Sequence, residues 1–297
     1  MTHGPPAGMD RTGSAAGSAV HDEKAAALYR ALEEVPALIV AYSGGVDSAY
    51  LAYAATQVLG PMALCVTADS PSYPERHRQL ATRIARDFSL NHEMIRTDEM
   101  SRPEYRANPA NRCYYCKQEL YSHLSAIAAD RGIPVIADGS NADDRGDYRP
   151  GRQAAREFGV RSFLDEADLT KAEIRELSRA AGLPTWNEPA SACLSSRIPY
   201  FSEVTDEKLR MIERAERVLR DLGFRVCRVR HHDTMARLEI GRDEMARALE
   251  PEVAERLDRE LRAIGYEHVT LDLRGYRLGS LNAALRLRPI EGGGQSP

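Results

Sequence analysis

The sequence predicts an α/β fold, a parallel sheet with helices on both faces over residues 21–200, followed by a smaller C-terminal α+β domain over residues 201–290. Three observations point there. From His21 to about Pro189, helix-period segments alternate with strand-length apolar runs, the order that repeated βα units produce. The first strand, Leu38–Ala41, is apolar at every position, as a strand covered on both faces requires. Beyond about Tyr200 the order becomes α-β-β-α-α-β, which no longer extends a parallel sheet.

Residues 1–20 are rich in Gly, Ala, Ser, Thr and Pro without an apolar core, and read as a disordered tail rather than a signal peptide. After Leu38–Ala41 the chain turns through Ser43-Gly44-Gly45 into a helix from about Val46 to Leu59. A second strand, Met62–Ala68, precedes a helix from about Tyr73 to Phe88. A third strand (His92–Ile95), a helix from about Cys116 to Asp130 and a fourth strand (Ile133–Ala137) follow. Ala154–Phe158 reads as a short helix and Val160–Leu164 as a short strand. Thr170 with Glu173 forms a capping box opening the helix Lys171–Ala181, which Gly182 and Pro184 close. In the second unit a long helix, Asp206–Leu222, leads to strands Phe224–Arg230 and Met235–Ile240. Helices Asp243–Leu249 and Pro251–Ile264 and a strand, His268–Leu273, complete it.

Composition narrows the function classes. Net charge is −4 over 297 residues. Residues 1–200 carry 22 Lys+Arg against 26 Asp+Glu, and residues 201–297 carry 18 against 18. Neither half offers the basic surface of a nucleic-acid binder, so no nucleic-acid partner is expected. The longest apolar run, Leu51–Ala68, is broken by Gln57 and Gly60-Pro61, so no membrane span is expected and a cytoplasmic location is. Five cysteines, at 65, 113, 116, 193 and 227, cannot all pair within one chain, which favours metal or catalytic use over a disulfide framework.

The turn after the first strand is built for an anion. Gly44 and Gly45 allow close backbone approach, with free N–H groups and the positive helix end aimed at it. Ser43 and Ser48 add hydroxyl donors. Asp47 repels bare phosphate, so its role is to hold Mg2+ or to orient the loop. No Gly-Lys-Ser/Thr follows, which excludes a Walker loop. The stretch SGGVDS resembles instead the pyrophosphate loop, SGGxDS, of the ATP pyrophosphatases, among them GMP and NAD synthetases, asparagine synthetases and tRNA thiolases. These enzymes cleave ATP between the α and β phosphates and adenylylate an acceptor oxygen. The plain alternative is a Gly-containing strand-to-helix turn. Ligands of such sheets sit at the carboxyl ends of the strands. There Asp69-Ser70 is placed to contact ribose or adenine, and the segment Asp138 to Asp144, with Gly139, offers carboxylates for Mg2+. Turn chemistry alone accounts for the same residue types.

Cys113 and Cys116 form a C-x-x-C placed just before a helix, and Cys193 lies in the loop Pro189–Pro199. A lone C-x-x-C is compatible with a redox pair, half a zinc site or incidental thiols. With Cys193, three thiols fit three of the four sites of an iron–sulfur cluster. Zinc would need a fourth ligand, such as His231 or His232. Cys65 and Cys227 read as core residues. Strand alternation puts Arg228 and Arg230 on one face, with Phe224 and Val226 leading into it. On the next strand it sets Met235, Arg237 and Glu239 opposite Ala236, Leu238 and Ile240. Clustered guanidinium groups can clamp phosphate or carboxylate. Arginine is nonetheless the default cation here, 36 against 4 lysines, so a solvated surface role competes.

The pyrophosphate loop, GSNADDRGDYRPG, LDEADLTKAEIRELSRAAGLPTW, PASACLSSRIPY and CRVRHHDTMARLEI together resemble the LarE family over roughly residues 22–285. PASACLSSRIP is the most specific segment, and Phe201 departs from the glycine expected after Ile-Pro-Tyr. LarE proteins are ATP-dependent sulfur transferases of nickel-pincer nucleotide synthesis, the cofactor of lactate racemase. The resemblance implies that ATP adenylylates a carboxylate of pyridinium-3,5-biscarboxylate mononucleotide. Sulfur then reaches the activated carbonyl, giving a thiocarboxylate and AMP. It implies Cys193 as the sulfur-donor position. In one branch that cysteine surrenders its own sulfur and becomes dehydroalanine; in another, three cysteines hold a 4Fe-4S cluster whose open iron carries sulfide. Cys113, Cys116 and Cys193 place this sequence in the second branch. ATP, Mg2+ and the cluster are thus the implied cofactors, with ATP held by Ser43, Gly44, Gly45, Asp47, Ser48, Asp69, Ser70, Gly139 and Asp144. Arg228 and Arg230 match positions that bind the mononucleotide phosphate. Glu216 and Glu239 match acidic residues near them, with Arg274 and Arg277 further candidates. A homo-oligomer is expected, fed by a sulfide donor the sequence does not identify. The competing readings are a tRNA thiolase, which needs a basic RNA platform, and a nucleotide-binding module without chemistry. A synthetase of the amidotransferase type would need a glutaminase portion, and none is recognisable.

Overall fold

The four apolar residues expected to be covered on both faces form strand β1 (Leu38–Ala41), buried throughout, near the middle of a parallel sheet. The computed structural model describes residues 12–146, 150–189 and 192–277. Helix α1 (Thr12–Glu33) precedes β1, and α2 (Val46–Leu59), β2 (Ala63–Asp69), α3 (Glu75–Asp87) and β3 (Asn91–Arg96) follow it. The short helix α4 (Pro103–Arg106) and the long α5 (Arg112–Arg131) lead to β4 (Val135–Ala137). Helices α6 (Pro150–Glu157), α7 (Phe163–Glu166) and α8 (Lys171–Ala180) come next. The strand order is β3-β2-β1-β4, all parallel. Winding therefore reverses between β1 and β4, and a crevice opens there at the strands' carboxyl ends.

Alternation along β1 explains the two covering layers. Leu38 and Val40 pack with Leu28 and Leu32 of α1, Leu51 of α2, Ile84 of α3 and Ile174 of α8. Ile39 and Ala41 pack with Tyr121 and Leu124 of α5 and Ala154 of α6. The predicted α/β class is borne out.

The rest of the chain builds a smaller mixed sheet. Helix α9 (Asp206–Asp221) is followed by β5 (Cys227–His232), β6 (Met235–Ile240), α10 (Met245–Ala248), α11 (Pro251–Ile264) and β7 (His268–Leu271). The order is β5-β6-β7, antiparallel between the first two and parallel between the last two. One face buries Cys227, Val229, Ala236, Leu238 and Ile240 against Leu219, Leu257 and Leu261. The other carries Arg228, Arg230, Arg237 and Glu239, as alternation predicts. Tyr105, Leu194, Ile198, Val204, Leu209 and Ile212 form an apolar seam joining the two sheets' surroundings.

Four expectations are corrected. Residues 12–20, read as tail, belong to α1, where Ala15, Ala16 and Ala19 are strong helix formers; residues 1–11 and 278–297 lie outside the described residues. The strand expected over Val160–Leu164 shrinks to a single bridge between Arg161 and Ala137, and Phe163 opens α7 instead. Such short apolar runs suit either element. The C-x-x-C lies inside the first turns of α5 rather than before it, because Cys and Tyr are weak helix formers that hide the true start. Strand β5 begins at Cys227, and Phe224 belongs to the apolar core, not to the arginine face. Among the described residues no helix is long and apolar enough to cross a membrane.

Candidate active site at the carboxyl edge of the first sheet

β1 runs directly into the glycine loop. Gly44 is left-handed at φ +65, and a Cβ there would fall 2.8 Å from the Ala81 Cβ, so both conformation and space demand glycine. Gly45 occupies the N-cap of α2 without a side-chain cap, which leaves the positive helix end to a ligand. Ser48 Oγ accepts the Ser43 N–H at 3.1 Å and lies 3.0 Å from the Ser43 hydroxyl, closing the turn. The Tyr73 hydroxyl donates to the Ser43 carbonyl at 3.0 Å. Gly139, just past β4, packs on this loop: a Cβ would meet the Ser48 nitrogen at 2.9 Å.

Asp47 is paired on both oxygens. The Lys171 ammonium makes an ion pair with Oδ2, and Asn141 Nδ2 donates to Oδ1 at 3.3 Å. Asp144 is buried and accepts the Asn141 N–H at 3.1 Å, while Asp143 caps α8 by accepting the Lys171 N–H at 2.9 Å. These two carboxylates thus shape the loop after β4. Asp138 accepts from Tyr121 and Ser162 hydroxyls, each at 2.9 Å, and from Ser140. Burial alone would raise its pKa, but Lys117 and these bonds hold it below the usual carboxylate range. At the end of β2, Asp69 accepts from Arg78 Nε at 2.9 Å. The Ser70 hydroxyl lies 3.0 Å from that of Ser72, which donates to Glu99 at 2.7 Å.

The same turn reaches the cysteine loop, because the Ser72 carbonyl accepts the Leu194 N–H at 2.8 Å. Cys193 caps the one-turn segment Leu194–Arg197. That segment is tied to α5 by Arg112, which donates to the Ser195 carbonyl at 3.0 Å, and to α4 by Tyr105, whose hydroxyl lies 2.6 Å from that of Ser195. Burial raises the pKa of Cys113 and Cys116, and the nearby Cys193 thiol adds to both. Lys117 opposes the rise at both sulfurs, and Arg112 at Cys113.

Among the described residues no group of three or more His, Cys, Asp or Glu is arranged to hold a single metal ion. His231, considered as a fourth zinc ligand, is committed to the Tyr266 hydroxyl at 3.1 Å, and burial lowers its pKa to about 4. A cuboidal cluster places its thiolates on separate irons and needs no such crowding, so the donor set of three thiols flanked by two cations fits it in chemistry. Cys65 and Cys227 are core residues, with burial pushing their thiols to about 12 and about 11.

A narrow cleft opens beside the cysteine loop, lined by His77, Arg197, Glu216, Arg220, Cys227 and Arg228 among others. Arg197 and Glu216 form a buried ion pair, with Nε to Oε1 at 2.8 Å and Nη2 to Oε2 at 3.2 Å. Arg197 Nη1 donates to the Ala192 and Cys193 carbonyls at 2.7 and 3.0 Å. Burial disfavours the Glu216 charge, yet Arg197, Arg228 and Arg220 bring its pKa down to about 2. Burial and Arg197 lower the pKa of Arg228, which stacks over Tyr276 at 5.3 Å. Burial, then Arg76, Arg197 and Arg228, lower His77 to about 4. This surplus of cations favours an anionic ligand.

The remaining predicted arginines divide. Arg230 donates to the Ser196 carbonyl at 2.7 Å and to Glu239 at 2.8 Å, and Glu239 also takes Arg237 at 3.3 Å. Arg277 lies 3.8 Å from Asp272. Arg274 is exposed and meets Asp272 and Arg242 through its backbone, so it does not join the cleft. Sequence reasoning missed Lys171, Arg197 and Lys117. The available signals were the rarity of lysine in this chain and the arginine inside PASACLSSRIP.

No family model matches the chain. It is 36% identical over 263 residues to the pyridinium-3,5-bisthiocarboxylic acid mononucleotide synthase of Lactiplantibacillus plantarum, covering 88% of this chain and 95% of that one. It is 44% identical over 252 residues to an uncharacterized protein of Synechocystis sp., covering 85% and 94%. Identity to an uncharacterized protein of Methanocaldococcus jannaschii is 28% over 240 residues, covering 81% and 90%.

Proposed function

Since this chain belongs to the LarE family, that of the pyridinium-3,5-bisthiocarboxylic acid mononucleotide synthase, we propose that it is an ATP-dependent sulfur transferase. Its substrate in this reading is pyridinium-3,5-biscarboxylate mononucleotide, one carboxylate of which becomes a thiocarboxylate. The single observation that carries the reading is the hydrogen bond from the Leu194 amide to the Ser72 carbonyl. It sets the cysteine loop against the strand end that adjoins the glycine loop.

Each part of the site has a chemical task. A carboxylate resists attack by sulfur, so its oxygen must first bond to the α-phosphorus of ATP as pyrophosphate leaves with the electron pair. The glycine loop and the N-terminus of α2 stabilise the charge that develops there. Asp47 is the oxygen donor at the loop for Mg2+, which would neutralise phosphate charge. Arg228, with Arg230 behind it, holds the mononucleotide phosphate in the cleft. Arg112 and Lys117 favour the thiolate forms of the neighbouring cysteines. A 4Fe-4S cluster on Cys113, Cys116 and Cys193 would supply exchangeable sulfide. The acyl-adenylate carbonyl then accepts sulfur and AMP departs.

Cys193→Ala should abolish thiocarboxylate formation while pyrophosphate release from ATP persists. Mass spectrometry of the product from protein, ATP, Mg2+, sulfide and the pyridinium dicarboxylate reads this directly. Sulfur transfer by the variant would show that Cys193 is neither donor nor essential anchor.

A further inference from the structure

The arginine cleft poses a problem for the substrate assigned to it. Arg76, Arg197, Arg220, Arg225 and Arg228 line it, against a single lining carboxylate among the described residues, Glu216. That balance suits the phosphate and carboxylates of the mononucleotide and disfavours its pyridinium ring, which is itself a cation. The acidic groups at hand are already engaged. Glu216 accepts from Arg197 twice and from the Val229 N–H, and Glu239 pairs with Arg230 and Arg237. Both are buried. The other kind of surface that attracts a cation is an electron-rich aromatic face, and one flanks the cleft.

Tyr276 carries that face. After β7 the chain folds back along β6: the Asp272 N–H donates to the Leu238 carbonyl at 2.9 Å, and the Tyr276 N–H to the Ile240 carbonyl at 2.8 Å. Gly275 makes the fold possible. It is left-handed at φ +66, and a Cβ there would fall 2.8 Å from the Ile240 carbonyl oxygen. The backbone under Tyr276 is thus tied to the sheet that bears the arginines. Its ring is half-buried, and the Arg228 guanidinium lies over it, 5.3 Å from the centroid. The face is therefore presented in a geometry that holds a planar cation, and the cation resting on it is the one assigned to the phosphate.

We propose that Tyr276 is the platform for the substrate's pyridinium ring, which takes the place of the Arg228 guanidinium as that group turns onto the mononucleotide phosphate. The inference rests on the proposed substrate and extends its recognition from the phosphate to the ring. One cation replaces another on the same face, so the aromatic contact is kept while Arg228 gains a charge-assisted bond to phosphate. The exchange also makes the cleft selective. A sugar phosphate without a cationic ring engages Arg228 and leaves the Tyr276 face uncovered.

The test is calorimetric titration of the full chain with pyridinium-3,5-biscarboxylate mononucleotide and with ribose 5-phosphate, for wild type, Tyr276→Leu and Tyr276→Phe. Loss of a desolvated cation–ring contact predicts roughly 10- to 30-fold weaker binding of the pyridinium mononucleotide by Tyr276→Leu. Ribose 5-phosphate, which has no ring, should bind this variant within about twofold of wild type, by the same arithmetic. Tyr276→Phe keeps the aromatic face and guards against a folding failure; it should bind both ligands within about threefold of wild type. Unchanged affinity of Tyr276→Leu for the pyridinium mononucleotide, an equal loss for both ligands, or a loss in Tyr276→Phe as large as in Tyr276→Leu would overturn the inference and leave the proposed function standing. Wild-type protein that does not bind the pyridinium mononucleotide would overturn both.

Discussion

Replacing Glu216 by Gln removes one negative charge from the buried end of the arginine cleft while keeping the side chain's shape. The carboxyl is 2% exposed and accepts from Arg197 twice and from the Val229 N–H at 3.3 Å. Against an ordinary value of 4.5, a folded pKa of about 2 makes the charged form worth about 3 kcal/mol to the native state at neutral pH. A buried pair broken on one side costs about 3–5 kcal/mol, because the surviving guanidinium is left uncompensated. The pH dependence has a defined sign. A carboxyl whose pKa is depressed by folding stabilises fully above its unfolded value, and the stabilisation is lost as pH falls toward the folded one. The penalty of Glu216→Gln should therefore be complete near pH 7 and shrink to roughly half near pH 3. Urea unfolding of both proteins at the two pH values measures it through the midpoint and slope. A penalty that is the same at both pH values, or below about 1 kcal/mol at neutrality, would refute the assignment of this ion pair as the keystone of the cleft.

Two further outcomes follow from single features. Phe201 is exposed at φ +68, a conformation that costs a residue with a Cβ about 1 kcal/mol; Phe201→Gly should raise stability by up to that amount in thermal melts, and a loss of stability would mean the ring makes a contact worth more than the strain. Anaerobic reconstitution with iron and sulfide should give iron–sulfur absorption at a stoichiometry of about 4:4, reduced by Cys113→Ser; stable zinc without iron after the same handling would argue against the cluster.

The parts of the site that sequence made legible are those written in local pattern. Leu38–Ala41 followed by SGGVDS specifies a buried strand, a left-handed glycine and an uncapped helix within a dozen residues, and all three are present. Alternation alone separated Arg228 and Arg230 from the core side of β5. Long-range partnership was not legible. Nothing near Asp47 announces Lys171, and Arg230 cannot be told from Arg228 until Ser196 arrives from the preceding loop to take one of its nitrogens. The start of α5 was hidden for a different reason: the residues of its first turn, Cys113, Tyr114, Tyr115 and Cys116, are poor helix formers placed where a helix begins.

Arg197 grips two things at once, the backbone carrying Cys193 and the carboxylate of Glu216 on α9. The sulfur end of the site and the anion end are consequently rivetted to a common frame, and neither can drift without severing an ion pair sealed from water. Such a frame acts as a caliper. In the proposed reaction, a mononucleotide whose carboxylate lies at the matching span from its phosphate would meet the sulfur, and a longer or shorter homologue seated by the same phosphate would present its carboxylate in the wrong place.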